Sequence, residues 1–215
     1  MLVGNIIISI FLMLTFYYLT LLLLDRRLKL GGVGKGRMNA LQVICITGSV
    51  MALSWFIFCL VCEPIELWRQ LLVMEMLSVL AVLTVTDCLN RKIPNAFLCF
   101  FFMFWVMVSS IHMILDAGSG RDLLFSSIKG AIMGGSIFFL CYMIYCRRLG
   151  AGDVKLILVL GLYLTEKKIM GTIFCSMVLC CIYFFIQVAR KKLDRKDSLP
   201  LVPFLFAGTL ITLFY

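Results

Sequence analysis

An all-α, polytopic membrane protein with about eight transmembrane helices and both termini outside is the fold this sequence predicts. Three observations lead there. Of the 215 residues, 63% are hydrophobic and only 14% charged, with a mean hydropathy of +1.08. Soluble domains run nearer half apolar and a quarter charged, which excludes a water-soluble globule. The apolar residues also come in eight runs, and the charges fall between them. The formal charge of +9 therefore points to a membrane surface and membrane lipid as partners, not to nucleic acid.

The runs lie at about 5–24, 41–62, 70–86, 96–115, 123–146, 154–164, 169–189 and 199–215. Most approach the ~20 residues that cross ~30 Å of hydrocarbon at ~1.5 Å per residue. The first has no basic region ahead of it and is followed by Asp25-Arg26-Arg27, so it reads as a retained anchor and not a removable signal. The sixth covers only about half the core and reads either as a re-entrant segment or as a crossing lengthened by Leu149–Asp153. Charge decides between them. With eight crossings and an outer N-terminus, fifteen of the twenty basic residues fall on the inner side, among them Arg26, Arg27, Arg91, Lys92, Arg147, Arg148 and the cluster Arg190–Lys196. A re-entrant sixth run would put that last cluster outside, against the positive-inside rule. No segment poor in apolar residues is long enough to fold alone, so residues 1–215 read as one integral-membrane domain.

Ten cysteines form no framework; most sit inside apolar runs, where a thiol acts as a small hydrophobe. Cys59 and Cys62 make a C-x-x-C without the second pair a zinc ribbon needs, so no metal and no cofactor are expected. The Gly31–Gly36 loop lacks the Gly-Lys-Ser/Thr of a phosphate-binding loop.

Ionisable groups at the edge of hydrocarbon are costly and mark function by default. Asp87 closes the third run and Asp153 opens the sixth. The topology puts both at the cytoplasmic ends of their helices, where a carboxylate pair suits acid–base hydrolysis of a peptide bond. One ionised Asp draws a proton from water, and its protonated partner bonds the carbonyl as it becomes tetrahedral. Two neighbouring carboxylates in a poorly solvated site hold a single proton between them. Unconnected aspartates serving as interfacial stops, or as a helix cap at Asp153, would occupy the same positions. Gly150 and Gly152 flank Asp153; glycine permits positive φ and close approach of a substrate backbone. Pro94 fixes a turn ahead of Asn95 and the fourth run. Lys155 is a candidate for biasing the pair or contacting lipid phosphate. Deeper in the bundle, Glu75 and Lys129 lie at matching depth and are expected either to pair or to be satisfied separately.

Gly150-Ala151-Gly152-Asp153-Val154-Lys155-Leu156 resembles the GxGD signature of type IV prepilin peptidases. Asp87, followed six residues later by Ile93-Pro94-Asn95, is similar to their first motif, and Leu199–Gly208 to their closing P-x-x-P-F-x-x-x-G element. The resemblance runs from about Leu71 to the C-terminus. It implies an intramembrane aspartyl endopeptidase in the cell (inner or cytoplasmic) membrane, cutting the basic leader from prepilin or pseudopilin substrates at the cytoplasmic face. Its catalytic pair would be Asp87 and Asp153. Many members also carry a cytoplasmic domain with two C-x-x-C pairs and methylate the new N-terminus. Asp25–Asn39 is short and holds no cysteine, so a peptidase-only form without zinc is expected. Two other readings use the same residues: a proton-coupled transporter, and a catalytically silent subunit of a pilus or secretion machine. A relay would have to continue across the bilayer, where Glu75, Lys129 and His112 are the only candidates.

Overall fold

The computed structural model describes residues 67–91, 93–144, 150–190 and 199–214. The spans expected over 5–24 and 41–62, the loop 25–39 and the Cys59/Cys62 pair lie outside the described residues. Among the described residues every element is a helix: α1 (Leu67–Asn90), α2 (Asn95–Leu115), α3 (Ala117–Ile144), α4 (Ala151–Ala189) and α5 (Val202–Phe214). The first four are long and apolar enough to cross a membrane, as in a multi-pass membrane protein, and α5 is a shorter apolar helix.

The chain divides into two compact units, residues 1–85 and 86–215, so the division falls within α1. In the first unit, α1 carries an unbroken buried stretch, with Val79 to Leu83 fully shielded. No glycine or proline interrupts the 24 residues of α1. It stops at Arg91, whose φ of 50° is the left-handed cap that ends many helices.

In the second unit, Pro94 (φ −70°, ψ 125°) is the N-cap of α2. Proline suits this place because its missing N–H and fixed φ cost nothing at a helix start. α2 and α3 are joined through the single residue Asp116. Its carboxylate accepts the N–H groups of Gly118 and Ser119 at 3.1 and 3.3 Å, so α3 starts at Ala117, six residues before the apolar run begins. His112 is buried at this turn, with Nε2 3.3 Å from the Ser119 hydroxyl.

The 39 residues of α4 include the sixth and seventh apolar runs. Thr165 divides them, with φ 60° and ψ 178°, a conformation nearly confined to glycine. Residues 151–164 and 166–189 form two arms that fold back on each other. Ile157 and Ile169 would stand ~18 Å apart along a straight helix. Both meet the same spot on α3, at 3.2 and 2.9 Å from where a Cβ on Gly134 would sit. The reversal is seated on α3 by glycines. A methyl on Gly161 would lie 2.6 Å from the Gly130 carbonyl oxygen, and one on Gly130 would lie 2.5 Å from the Thr165 carbonyl carbon. Lys129 and Glu166 pair beside it at 3.4 Å, so the carboxylate next to Lys129 is one the sequence reading did not consider.

The second arm packs on α5 through small and hydroxylated residues. Gly208 abuts Ser176, and the hydroxyls of Thr172 and Thr212 bond at 2.7 Å. Close backbone approach and buried hydroxyl bonds are how helices associate where lipid removes the hydrophobic drive. The outward faces are correspondingly apolar: Phe125, Ile132, Phe174 and Phe185 are each more than 60% exposed. In the Phe-rich start of α2, Phe97 and Phe101 are buried, and Phe101 stacks on Tyr163 at 4.2 Å between ring centres.

Candidate active site

Because successive helices run back and forth, the chain returns several times to one end of the second unit. The last turn of α1 brings Asp87, the α1–α2 turn brings Ile93 to Asn95, the start of α4 brings Gly150 to Asp153, and the start of α5 brings Leu201 and Val202. These segments are in contact. The Asp87 carboxylate accepts the Val202 N–H at 3.1 Å. Gly152 packs against Ile93, with 3.2 Å between the Ile93 Cβ and the point a Gly152 Cβ would occupy. Asp153 lies within electrostatic reach of Asp87 although 66 residues separate them.

Asp87 is buried, at 6% exposure, in the last turn of α1. Its second neighbour is the Leu201 N–H, and Arg91, one turn further on, contributes a favourable charge. Asp153 is half-buried at the third position of α4. It accepts the Gly150 N–H at 3.2 Å, while its own N–H donates to the Gly150 carbonyl at 3.0 Å. This reach-back is half of a capping box. Asp153 therefore does cap its helix, and the bond also fixes the direction of its carboxyl group.

The other candidate residues are placed as follows. Gly150, exposed, is extended (φ −74°, ψ 136°) and caps α4. Gly152 is inside the helix and outside the left-handed region. The expectation of positive φ at these glycines is therefore corrected. Gly152 is required by the closeness of Ile93, and Gly150 leaves the approach to Asp153 uncovered by a side chain. Pro94 and Asn95 hold the turn that carries Ile93, with Asn95 exposed as the first residue of α2. Lys155 is exposed and two residues from Asp153. Positions two apart on a helix face different ways, so Lys155 is not aimed at the pair. Among the described residues no cluster of three or more His, Cys, Asp or Glu could hold a metal ion. Sequence reasoning gave no role to Ile93 or Val202. The only signal for the latter was the Pro200-Leu201-Val202-Pro203 string, which marks a helix start but not where its N–H groups point.

Such an arrangement offers two carboxyl groups, one buried and one half-buried, beside the exposed Gly150. It can take a proton from water with one group and supply a proton with the other.

The chain matches the type IV leader peptidase family over residues 74–185, a little over half its length. It is 28% identical over 139 residues to the prepilin leader peptidase/N-methyltransferase of Bacillus subtilis (strain 168). That stretch takes in 65% of this chain and 53% of the relative, so the chain spans about half the length of the curated relative it matches. No solved structure matches significantly. The family match includes Asp87 and Asp153 and stops before α5.

Proposed function

The chain belongs to the type IV leader peptidase family, and from that membership and its paired carboxyl groups we propose that it is an intramembrane aspartyl endopeptidase. Its substrates are prepilin-like proteins, and the bond it cuts joins their basic leader to the apolar segment that follows. The observation that carries this reading is the placement of Asp87 and Asp153 within electrostatic reach of each other at one helix-end cluster. Arg91 and Arg190 are at that end, and in the sequence four further basic residues follow Arg190 by position 196, which favours the cytoplasmic side for the site.

The pair works with one shared proton. The ionised carboxylate accepts a proton from water as its oxygen bonds to the scissile carbonyl carbon. The protonated carboxyl gives its proton to the carbonyl oxygen, forming a neutral tetrahedral diol. Collapse breaks the C–N bond, and the amine leaves with the proton first taken from water. A diol proton returns to the other carboxylate. Net, one water is consumed and one acid and one amine are released, with the pair back to a single proton. The reading is confined to this hydrolysis. Gly150 leaves the approach to Asp153 free of a side chain, and Pro94 and Asn95 shape the turn that carries Ile93 against Gly152.

The test is incubation of the membrane-reconstituted protein with a prepilin-type substrate, followed by mass analysis of the product N-terminus. Release of the leader at a single bond supports the proposal, and an intact substrate rejects it. The same spectrum reads methylation of the new terminus, which the proposal does not require.

A further inference from the structure

The two carboxyl groups are held differently: Asp87 is the more buried, and α5 supplies it with N–H donors that Asp153 lacks. Asp87 accepts the N–H of Val202, a residue 115 positions away in sequence, and the Leu201 N–H faces the same group. Val202 is the first residue of α5, so its N–H is among those the helix itself leaves unbonded, at the positive end of the helix. Asp153 has one N–H, that of Gly150 in the preceding turn, and it faces the charge of Asp87. The charged and titratable groups around Asp87 are Arg91 and Cys88 on α1 and Asp153 on α4. α5 contributes none, since its thirteen residues carry no ionisable side chain.

When two carboxyl groups share one proton, the proton stays on the one whose charged form is less well supported. Hydrogen bonds donated to a carboxylate favour its charged form. We propose that Val202 is a positioning residue: through its N–H, the N-terminus of α5 holds Asp87 as the ionised member that takes the proton from water, leaving Asp153 to carry the shared proton to the carbonyl oxygen. The inference deepens the peptidase reading and rests on it. It also gives a role to a segment that lies beyond the residues matched to the family.

Val202→Pro removes the donor while also changing the buried side chain. Proline is favoured at the first helical position, and Leu201 before it is non-helical, as a following proline requires. Val202→Ala is its partner: it trims the fully buried side chain but keeps the N–H. The assay is the pH profile of kcat/KM for leader release in proteoliposomes. A hydrogen bond to a charged group is worth enough that its loss moves the acid limb of V202P up by about one to two pH units. V202A keeps the wild-type acid limb, whatever its rate. An acid limb unmoved in V202P, or moved equally in V202A, overturns the proposal. A shift of the alkaline limb alone also overturns it, because that is the signature of Asp87 carrying the proton.

Should V202P not accumulate, the wild-type protein supplies a second readout. An epoxide reagent is opened by a carboxylate and not by a neutral carboxyl group. Peptide mapping is expected to find the resulting ester on Asp87; an ester on Asp153, or on neither, overturns the proposal. This labelling needs no turnover. A wild-type protein that cuts no prepilin but is esterified at Asp87 would reject the peptidase reading and leave the division of charge standing.

Discussion

Replacing Gly152 probes whether the fold delivers the two carboxyl groups to each other through the Ile93 contact. A Cβ at Gly152 would sit 3.2 Å from the Ile93 Cβ and 3.7 Å from its Cγ1 and Cδ1. Carbon atoms prefer separations of about 3.5–4.0 Å, so even alanine demands roughly 0.3–0.8 Å of relief. Valine adds two further methyl groups in the same place, an overpacking that costs about 1–3 kcal/mol. Gly152 precedes Asp153 directly, and Ile93 lies in the turn after Asp87, so the relief is taken up where the carboxyl groups are aligned. A misplacement of about 1 Å costs on the order of 100-fold in rate. Gly152→Val is therefore expected to lower kcat for leader release about 100-fold, and Gly152→Ala clearly less, roughly 3- to 10-fold on the same scaling. The assay is the initial rate in proteoliposomes at matched protein, with thermal unfolding in detergent alongside. Trimming the opposing side chain supplies the control: Gly152→Val combined with Ile93→Ala should regain about tenfold over Gly152→Val alone. Near-normal kcat in Gly152→Val, or no gain in the double variant, would refute the contact argument.

Thr165→Gly should stabilise the protein, because φ 60° with ψ 178° costs a non-glycine residue about 1–3 kcal/mol. A higher thermal midpoint is expected, and an unchanged or lower one would show that the reversal is not strained. Gly161→Ala should have the opposite effect. Its methyl would meet the Gly130 carbonyl oxygen at 2.6 Å and Ala131 backbone atoms at 2.7 and 2.8 Å, none of which can rotate away. Loss of at least about 2 kcal/mol and faster proteolysis are expected. Gly171→Ala, which meets only a Thr212 methyl at 3.3 Å, should come through with little change, and equal damage in both would discredit the packing.

Helices, apolar spans and the two aspartates were legible in the sequence, because run length and misplaced charge are one-dimensional signals. Pro94 marked the turn ahead of α2, whereas α1 continues to Asn90, past the apolar run that ends at residue 86. Other features depend on what arrives from elsewhere in the chain. Glu166-Lys167-Lys168 reads as a polar loop between two spans. The structure keeps that segment helical and concentrates the reversal in Thr165, because glycines 130, 134 and 161 let α3 approach closely enough to seat both arms. The early start of α3 follows from the Asp116 carboxylate, a bond across two and three residues that hydropathy does not register. Gly152 was noticed for positive φ and for close approach of a substrate backbone; the position is helical, and proximity to the Ile93 side chain is what it demands. Val202 was invisible as a functional residue, since a backbone N–H leaves no trace in residue type.

The central claim is that Asp87 and Asp153 act as one proton-sharing pair. It is tested most directly by single-turnover leader release from a prepilin-type substrate, comparing the wild-type protein with Asp87→Asn, Asp153→Asn and the double variant at equal membrane accumulation. Asparagine keeps the shape of the side chain and removes the ability to exchange a proton. Each single variant is expected to lose at least about 100-fold, the lower end of what acid–base catalysis contributes. The double variant should be no slower than the singles, as groups that act as a unit require. Near-normal turnover in either single variant, or losses that multiply in the double, would contradict the account.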